Sequence, residues 1–191
     1  MSASEAIRSG DPGRAMPALV GLRNLPADEA IPLLLLGLQQ EVFMIRSLSC
    51  AGLGIKRSEE GWQALVQALQ HDEDANVRAE AANALASYGV ERAWPLLRAA
   101  FEADGQWLVR CSILSALAEQ PQMLPAWLDD LAALALADSD GSVRVGGAEI
   151  LARLLREADP AHGQVWRDRL VALQADADHR VVAAALNGLQ A

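Results

Sequence analysis

The feature that most constrains this chain is an arginine that recurs at a nearly constant interval. Arg14, Arg46, Arg78 and Arg110 are each 32 residues apart, and Arg144 follows after 34 more. An apolar residue precedes each of the last four, and a leucine follows each of them by seven positions. A period of this length is typical of repeat proteins, in which each unit buries its apolar face by stacking on its neighbours.

Two further columns keep the same register. An aspartate lies six residues before three of the arginines, and a large apolar residue opens each of five units. The aspartates are Asp72, Asp104 and Asp138, and the opening residues are Ile31, Trp62, Trp94, Trp127 and Trp166. Gln40 replaces the aspartate in one unit, and the last unit keeps Asp176 but has Val182 in place of the arginine. Three columns in register make a chance match improbable.

Each unit has the pattern of two helices. In 61–92, apolar residues at helical spacing are followed by a polar break and then by a second apolar stripe. Asp72 or Asp74 can cap the second helix, and Gly89 fits its end. The sequence predicts first helices at 30–40, 60–70, 92–103, 125–137 and 164–174, and second helices at 43–55, 76–88, 108–119, 142–157 and 179–190.

Composition and charge exclude several function classes. Formal net charge is −9, and Lys56 is the only lysine. A nucleic-acid backbone or an anionic membrane surface calls for clustered cations, so we expect neither as a partner. No run of apolar residues is long enough to span a bilayer, and no leader peptide is evident. We therefore expect a cytoplasmic protein.

Residues that could carry chemistry are sparse and scattered. Cys50 and Cys111 lie in apolar helical patterns, which favours small core residues over a redox or metal pair. The three histidines, His71, His162 and His179, fall in predicted turns of different repeats. Nucleophile motifs and phosphate-binding loops are missing. The sequence therefore predicts no catalytic residue, no cofactor and no metal.

The segment 72–89 closely resembles a HEAT repeat, in particular the HEAT-like repeat named after phycobilisome bilin lyases. The segments 107–118 and 142–151 match more loosely. The resemblance implies an all-α fold, a right-handed α-α superhelix of about five helix pairs. It also implies that the aspartate and arginine columns form a ladder between stacked repeats. We expect N-terminal capping helices in 1–29 and a repeat array in 30–191, with repeats near 30–60, 61–92, 93–125, 126–163 and 164–191.

Second helices of such solenoids line the inner, concave face. Positions two, five and nine residues beyond the column arginine alternate with the apolar stripe and should face outward. The predicted protein-binding residues are Leu48, Glu80, Asn83, Ser87, Ser112, Ser115, Glu119, Glu149 and Arg153. An ordinary solvated face is the alternative. Trp107 lies outside the repeat columns, and it is either a helix-start staple or an interface anchor.

The main hypothesis is a non-catalytic protein-binding scaffold or adaptor. The resemblance adds a possible cyanobacterial setting, with a phycobiliprotein or another photosynthetic subunit as partner, in assembly or turnover. A subunit of a bilin lyase is the alternative. A third class, a HEAT-like DNA glycosylase, is disfavoured by the acidic composition.

Overall fold

The computed structural model of the protein describes residues 2–158 and 163–190. Twelve α-helices and two short 3₁₀ turns, with no strand, make up the regular structure of these residues. The helices are α1 Ala3–Arg8, α2 Pro12–Gly21, α3 Ala27–Gly37, α4 Phe43–Lys56, α5 Glu59–His71, α6 Ala75–Ala86, α7 Val90–Ala103, α8 Trp107–Ala118, α9 Pro125–Leu136, α10 Gly141–Glu157, α11 Gln164–Ala172 and α12 His179–Gln190. The 3₁₀ turns are Leu22–Asn24 and Leu173–Ala175.

The ten predicted helices are all present as α3 to α12, with bounds within three residues of the prediction. The all-α fold of consecutive helix pairs is confirmed. Contacts divide the chain into two compact units, unit 1 ending at Ile113 and unit 2 beginning at Leu114, inside α8. The predicted boundaries of the individual repeats stay a prediction.

The helix pair α5–α6 illustrates how the sequence produces a repeat. Ser58 caps α5 by accepting from the backbone amide of Gly61, and the buried residues Trp62, Leu65 and Leu69 form one stripe. In α6, by contrast, alanines are buried around much of the helix. Their small side chains allow α6 to pack on α5 and on the preceding second helix, α4.

The second helices of unit 1 approach each other closely. A methyl group added at Gly54 of α4 would lie 2.9 Å from both Cα and Cβ of Ala84 in α6. Such a distance is shorter than packed carbon atoms tolerate. Gly54 is therefore required by the contact between these helices rather than by its backbone angles.

The N-terminal segment is built like one more repeat. In unit 1, α1 packs on α2, α1 also packs on α3, and α2 packs on α4. These are the same neighbour relations that link α3 to α5 and α4 to α6. The helices expected in 1–29 therefore form a sixth pair that precedes the predicted five, and a capping role for them stays a prediction.

Unit 2 is organised around α10. This helix packs on α9, α11 and α12, and it buries Val143, Ala148 and Leu151. A side-chain cluster joins α9 and α11, because Trp166 Nε1 and Arg169 Nη1 donate to one carboxylate oxygen of Asp129 at 2.8 and 2.6 Å.

No helix in the described ranges is long and apolar enough to cross a membrane.

Candidate protein-binding surface

The arginine column forms inter-repeat hydrogen bonds. Arg46 Nε and Nη2 donate to the two carboxylate oxygens of Asp72 at 2.8 and 3.0 Å, and Nη1 donates to the carbonyls of Gln40 and Glu41. Arg46 is only 8% exposed. The hydrogen bond to Asp72 raises the pKa of Arg46 despite the opposing effect of burial. Arg46 therefore links two repeats and at the same time holds the turn that precedes its own helix.

The same geometry recurs at two more places. Arg78 binds Asp104 through Nε and Nη2 at 2.7 and 3.2 Å, and Arg144 binds Asp176 at 2.9 Å through each nitrogen. Burial alone would raise the pKa of Asp104, but the hydrogen bond from Arg78 and the charges nearby bring it below its usual range. The hydrogen bond from Arg144 lowers the pKa of Asp176. The expected Asp–Arg ladder is thus confirmed in these pairs.

Arg14 does not form a ladder pair, because the sequence departs from the aspartate column at its acceptor position. Arg14 lies 32 residues before Arg46, so its acceptor would stand at position 40, which is Gln40. Arg14 pairs instead with Asp11 of its own helix start at 3.4 Å, and its side chain is 58% exposed. The first two helix pairs therefore stack without an inter-repeat ion pair at this position.

The aspartates in the turns before α6 and α10 have a structural role. Asp72 accepts from the backbone amide of Asp74, and Asp74 in turn accepts from the amide of Asn76 and caps α6. Asp138 and Asp140 repeat this arrangement before α10. Asp74, not Asp72, is thus the helix cap. Capping and the ladder occupy these carboxylates, as short polar side chains at helix starts commonly do.

The predicted binding residues differ in exposure. Five of the nine are exposed, namely Asn83, Ser87, Ser115, Glu119 and Glu149. The other four, Leu48, Glu80, Ser112 and Arg153, are half-buried. Within each unit, we call the outward side of the second helices, which carries these positions, the second-helix face.

Three of the nine residues also tie successive second helices together. Ser87 Oγ donates to the carbonyl of Gly54 at 2.8 Å, and Ser112 Oγ donates to that of Ala79 at 2.9 Å. In unit 2, Arg153 Nη1 donates to the carbonyl of Ala118 at 2.7 Å. Each acceptor lies 33 to 35 residues earlier in the chain. These side chains therefore contribute to stacking, whatever else they contact.

Glu80 is the acidic residue of this face most affected by its surroundings. Burial raises its pKa, and a hydrogen bond with the Asn83 side chain partly opposes that effect. Glu80 lies near enough to Cys50 that its charge adds to the burial that raises the pKa of this thiol to about 12. Cys50 is fully buried and protonated at neutral pH, in agreement with the predicted core role.

A small cleft at the start of this face was missed by the prediction. It has a volume of about 70 Å³ and lies between α2 and α4. Its apolar lining includes Leu19 and Val20 from α2 and Leu48, Ala51 and Ile55 from α4. The signal in the sequence was Arg14, because its register places Leu19 and Arg23 at the same repeat positions as Ala51 and Ile55, which line the cleft.

Trp107 and two of the three histidines lie at the surface. Trp107 is the first residue of α8 and remains 48% exposed. Both interpretations of Trp107, as a staple at the helix start and as an interface anchor, stay predictions. His71 and His179 are exposed, and His162 lies outside the described residues. No group of three metal-ligating side chains is found within the part of the chain that the structure describes.

The family follows from sequence comparison. A family model of HEAT repeats matches residues 4–86, 31–118 and 62–152. The chain belongs to the HEAT-repeat family. The first match begins inside α1, in agreement with a first HEAT unit built from α1 and α2. By sequence, no curated protein matches the chain significantly.

Solved structures with the same fold come from diverse proteins. Cex1p superposes with a TM-score of 0.69 at 13% identity, over 98% of this chain but only 41% of Cex1p. The complex of CpcE and CpcF of phycocyanin lyase from Nostoc sp. PCC7120 gives 0.60 at 20% identity, over 97% of this chain and 74% of that one. An archaeal HEAT-like repeats protein from Thermococcus onnurineus NA1 gives 0.58 at 17% identity, over 100% and 80%. At these identities the comparisons establish the HEAT fold alone.

Proposed function

We propose that this HEAT chain is a non-catalytic scaffold or adaptor that binds another protein through its second-helix face. The observation that carries the proposal is the composition of this face. Its outward positions are apolar on α4, where Leu48, Ala51 and Ile55 stand, and polar on α6, where Glu80 and Asn83 stand. A graded face of this kind suits a helix or an extended segment of a partner protein.

The charged columns support a scaffold for a second reason. In the ladder pairs, the arginine and aspartate side chains are already engaged with each other and with the turns. Groups held in this way stabilise the stacking of repeats and are not available for proton transfer. The acidic net charge further argues against a nucleic-acid partner. We also propose that the protein is cytoplasmic, as expected from its sequence.

The partner class that we propose is a phycobiliprotein or another photosynthetic subunit, in its assembly or turnover. The support is the resemblance of 72–89 to the repeats named after phycobilisome lyases, together with the fold shared with CpcE and CpcF. A second candidate function, a subunit of a bilin lyase, rests on the same neighbour. That neighbour is a complex of two chains, so a lyase role would require a second subunit here as well.

Affinity purification of the tagged chain from its native extract tests both candidates, with mass spectrometry and an absorbance scan of the eluate. A stoichiometric partner protein without visible absorbance supports the adaptor. A bound tetrapyrrole, or a phycobiliprotein whose bilin content depends on the chain, supports the lyase subunit instead. Recovery of the chain alone under gentle washing contradicts both.

A further inference from the structure

We propose that the cleft between α2 and α4 is the docking site for an acidic amphipathic helix of the partner protein, with one aliphatic side chain inserted between the two helices. This inference rests on the proposed scaffold function and specifies where and what the scaffold binds. It is drawn from the size of the cleft, from its lining and from the charges on its rim.

The size of the cleft decides the kind of occupant. The volume of the cleft is about 70 Å³. Small-molecule and cofactor sites are typically several times larger, about 300 Å³ or more. The cleft therefore fits a single side chain, such as leucine or valine, rather than a tetrapyrrole or a nucleotide.

The walls of the cleft are apolar and open to solvent. Val20 is 58% exposed and Ile55 is 50% exposed, one on each side, while Leu19, Leu22 and Leu34 form a buried floor. Covering two such side chains with an incoming apolar stripe removes apolar area from water, which favours association. Two neighbouring second helices that expose large aliphatic side chains toward one cleft form a receptor for a helix with apolar residues at i, i+3, i+4 and i+7.

The rim of the cleft is basic. Arg23 and Lys56 line it, and no acidic residue is among its lining residues in the described chain. Lys56 Nζ donates to the carbonyls of Arg23 and Leu25 at 2.9 and 2.5 Å, which holds the ammonium group at the edge of the cleft. Arg23 is exposed, and Arg57 follows directly after α4 and is also exposed.

This basic rim stands out against the rest of the molecule. Residues 1–57 carry six basic and five acidic side chains, whereas residues 58–191 carry ten and twenty. An acidic partner segment is repelled by the excess of carboxylates in 58–191 and attracted to Arg23 and Lys56, so charge favours this site. Complementary charge is therefore expected to flank the apolar stripe of the partner helix.

The test uses designed helical peptides as probes, with the full-length protein. One peptide has leucines at i, i+3, i+4 and i+7 flanked by glutamates, a second has lysines in place of the glutamates, and a third keeps the glutamates but has serines for the leucines. Fluorescence anisotropy measures binding. We expect the first peptide to bind at least about tenfold more tightly than each of the others, since two or three favourable charge pairs amount to about one factor of ten.

Matched surface variants locate the site. Val20→Glu and Ile55→Glu place carboxylates on the walls of the cleft and should each weaken binding of the glutamate peptide by tenfold or more. Val165→Glu and Val171→Glu alter side chains of nearly the same exposure, 59% and 51%, in unit 2 and should leave it unchanged. Thermal melting checks that all four remain folded, as substitutions of exposed residues usually do.

The single lysine gives an independent readout. With an N-acetylated glutamate peptide, carbodiimide coupling should produce one main cross-link, between a peptide carboxylate and Lys56. Equal binding of the glutamate and lysine peptides, or a cross-link that survives Ile55→Glu, would overturn the inference. Such an outcome leaves the scaffold proposal standing, because that proposal is tested by the native purification and not by these peptides.

Discussion

Two neighbouring junctions of unit 1 are built from the same helix arrangement but differ in how closely they are locked. The first junction joins the pair α1–α2 to α3–α4, and the second joins α3–α4 to α5–α6. At the second, Arg46 and Asp72 form a nearly buried bidentate pair, and Gly54 lies against Ala84. At the first, Arg14 is exposed, Gln40 replaces the aspartate, and a cleft remains between α2 and α4.

The difference indicates that HEAT units stack by apolar packing and that the ladder adds to it. At the first junction, Leu19 and Leu22 of the N-terminal segment are buried, and Lys56 is bonded to the backbone beside them. No carboxylate is needed for α2 to pack on α4. The second junction has an additional ion pair, whereas the first has an open cleft.

Removing the carboxylate of the second junction should have the largest effect. Asp72→Ala leaves the Arg46 guanidinium, whose side chain is 10% exposed, without its charged partner. We expect a loss of about 3 kcal/mol in the free energy of unfolding, since breaking a mostly buried ion pair strands a charge. Urea unfolding measures the loss. The control is Glu73→Ala, the neighbouring carboxylate, which is 89% exposed and should cost less than about 0.5 kcal/mol. Equal effects of the two variants would contradict the role of the ladder.

The close approach of α4 and α6 gives the next effect. Gly54→Ala places a methyl group 2.9 Å from the backbone of Ala84, and it should destabilise the protein by roughly 1–3 kcal/mol through overpacking. Gly21→Ala is the matched control, because nothing lies within 4 Å of its added methyl group. That variant should be neutral or slightly stabilising, as alanine is a better helix former than glycine. A thermal melt in which both glycines tolerate alanine would show that the second junction is looser than the structure indicates.

Acid should weaken the ladder pair of Asp104. The folded pKa of Asp104 is below its ordinary value, so its pairing with Arg78 stabilises the fold above the unfolded pKa of about 3.9. This contribution is lost as pH falls through the lower folded pKa. The stability difference between the wild type and Asp104→Asn should therefore be constant near neutral pH and shrink below about pH 4. Urea midpoints measured from pH 7 to pH 3 test this, and a difference that is as large at pH 3 as at pH 7 would contradict it.

Regular columns made the helix pairs predictable from the sequence. Asp72 and Arg78 keep the same spacing as Asp104 and Arg110, which predicted the recurring turn, whereas the ion pairs between repeats were implied by the resemblance to HEAT repeats. Gly89 shows where such local inference fails. It was expected to end α6, but α6 ends at Ala86, and Gly89, with φ of +109°, is the N-cap residue that precedes α7. In so short a connection, one residue with a positive φ can serve either neighbouring helix.

The binding face was harder to predict because exposure depends on the next helix. Alternation along one helix correctly placed Asn83 and Glu149 outside, but it could not show that Ser87 and Arg153 donate to carbonyls of an adjacent helix. It also could not show that Ile55 remains half exposed beside a cleft. These properties depend on how neighbouring helices pack, and they cannot be inferred from the spacing of residues within one repeat. Whether the face binds a protein stays a prediction.

The smallest expected effect is obtained by making the first junction resemble the second. Gln40→Asp supplies the missing carboxylate 26 residues after Arg14, the same separation that joins Arg46 to Asp72. The backbone carbonyl of residue 40, which accepts from Arg46, is unaffected. Since Arg14 is largely exposed and must leave Asp11, the gain should be no more than about 1 kcal/mol.

A double-mutant cycle with Arg14→Ala isolates this gain from other effects of the new charge. The stabilisation by Gln40→Asp should disappear when Arg14 is absent. A gain that remains without Arg14 would mean that the new carboxylate acts by capping its own turn, as Asp72 does for the amide of Asp74. In that case the aspartate column would be maintained by turn geometry first and by the ladder second, and the openness of the first junction would not be due to its missing rung.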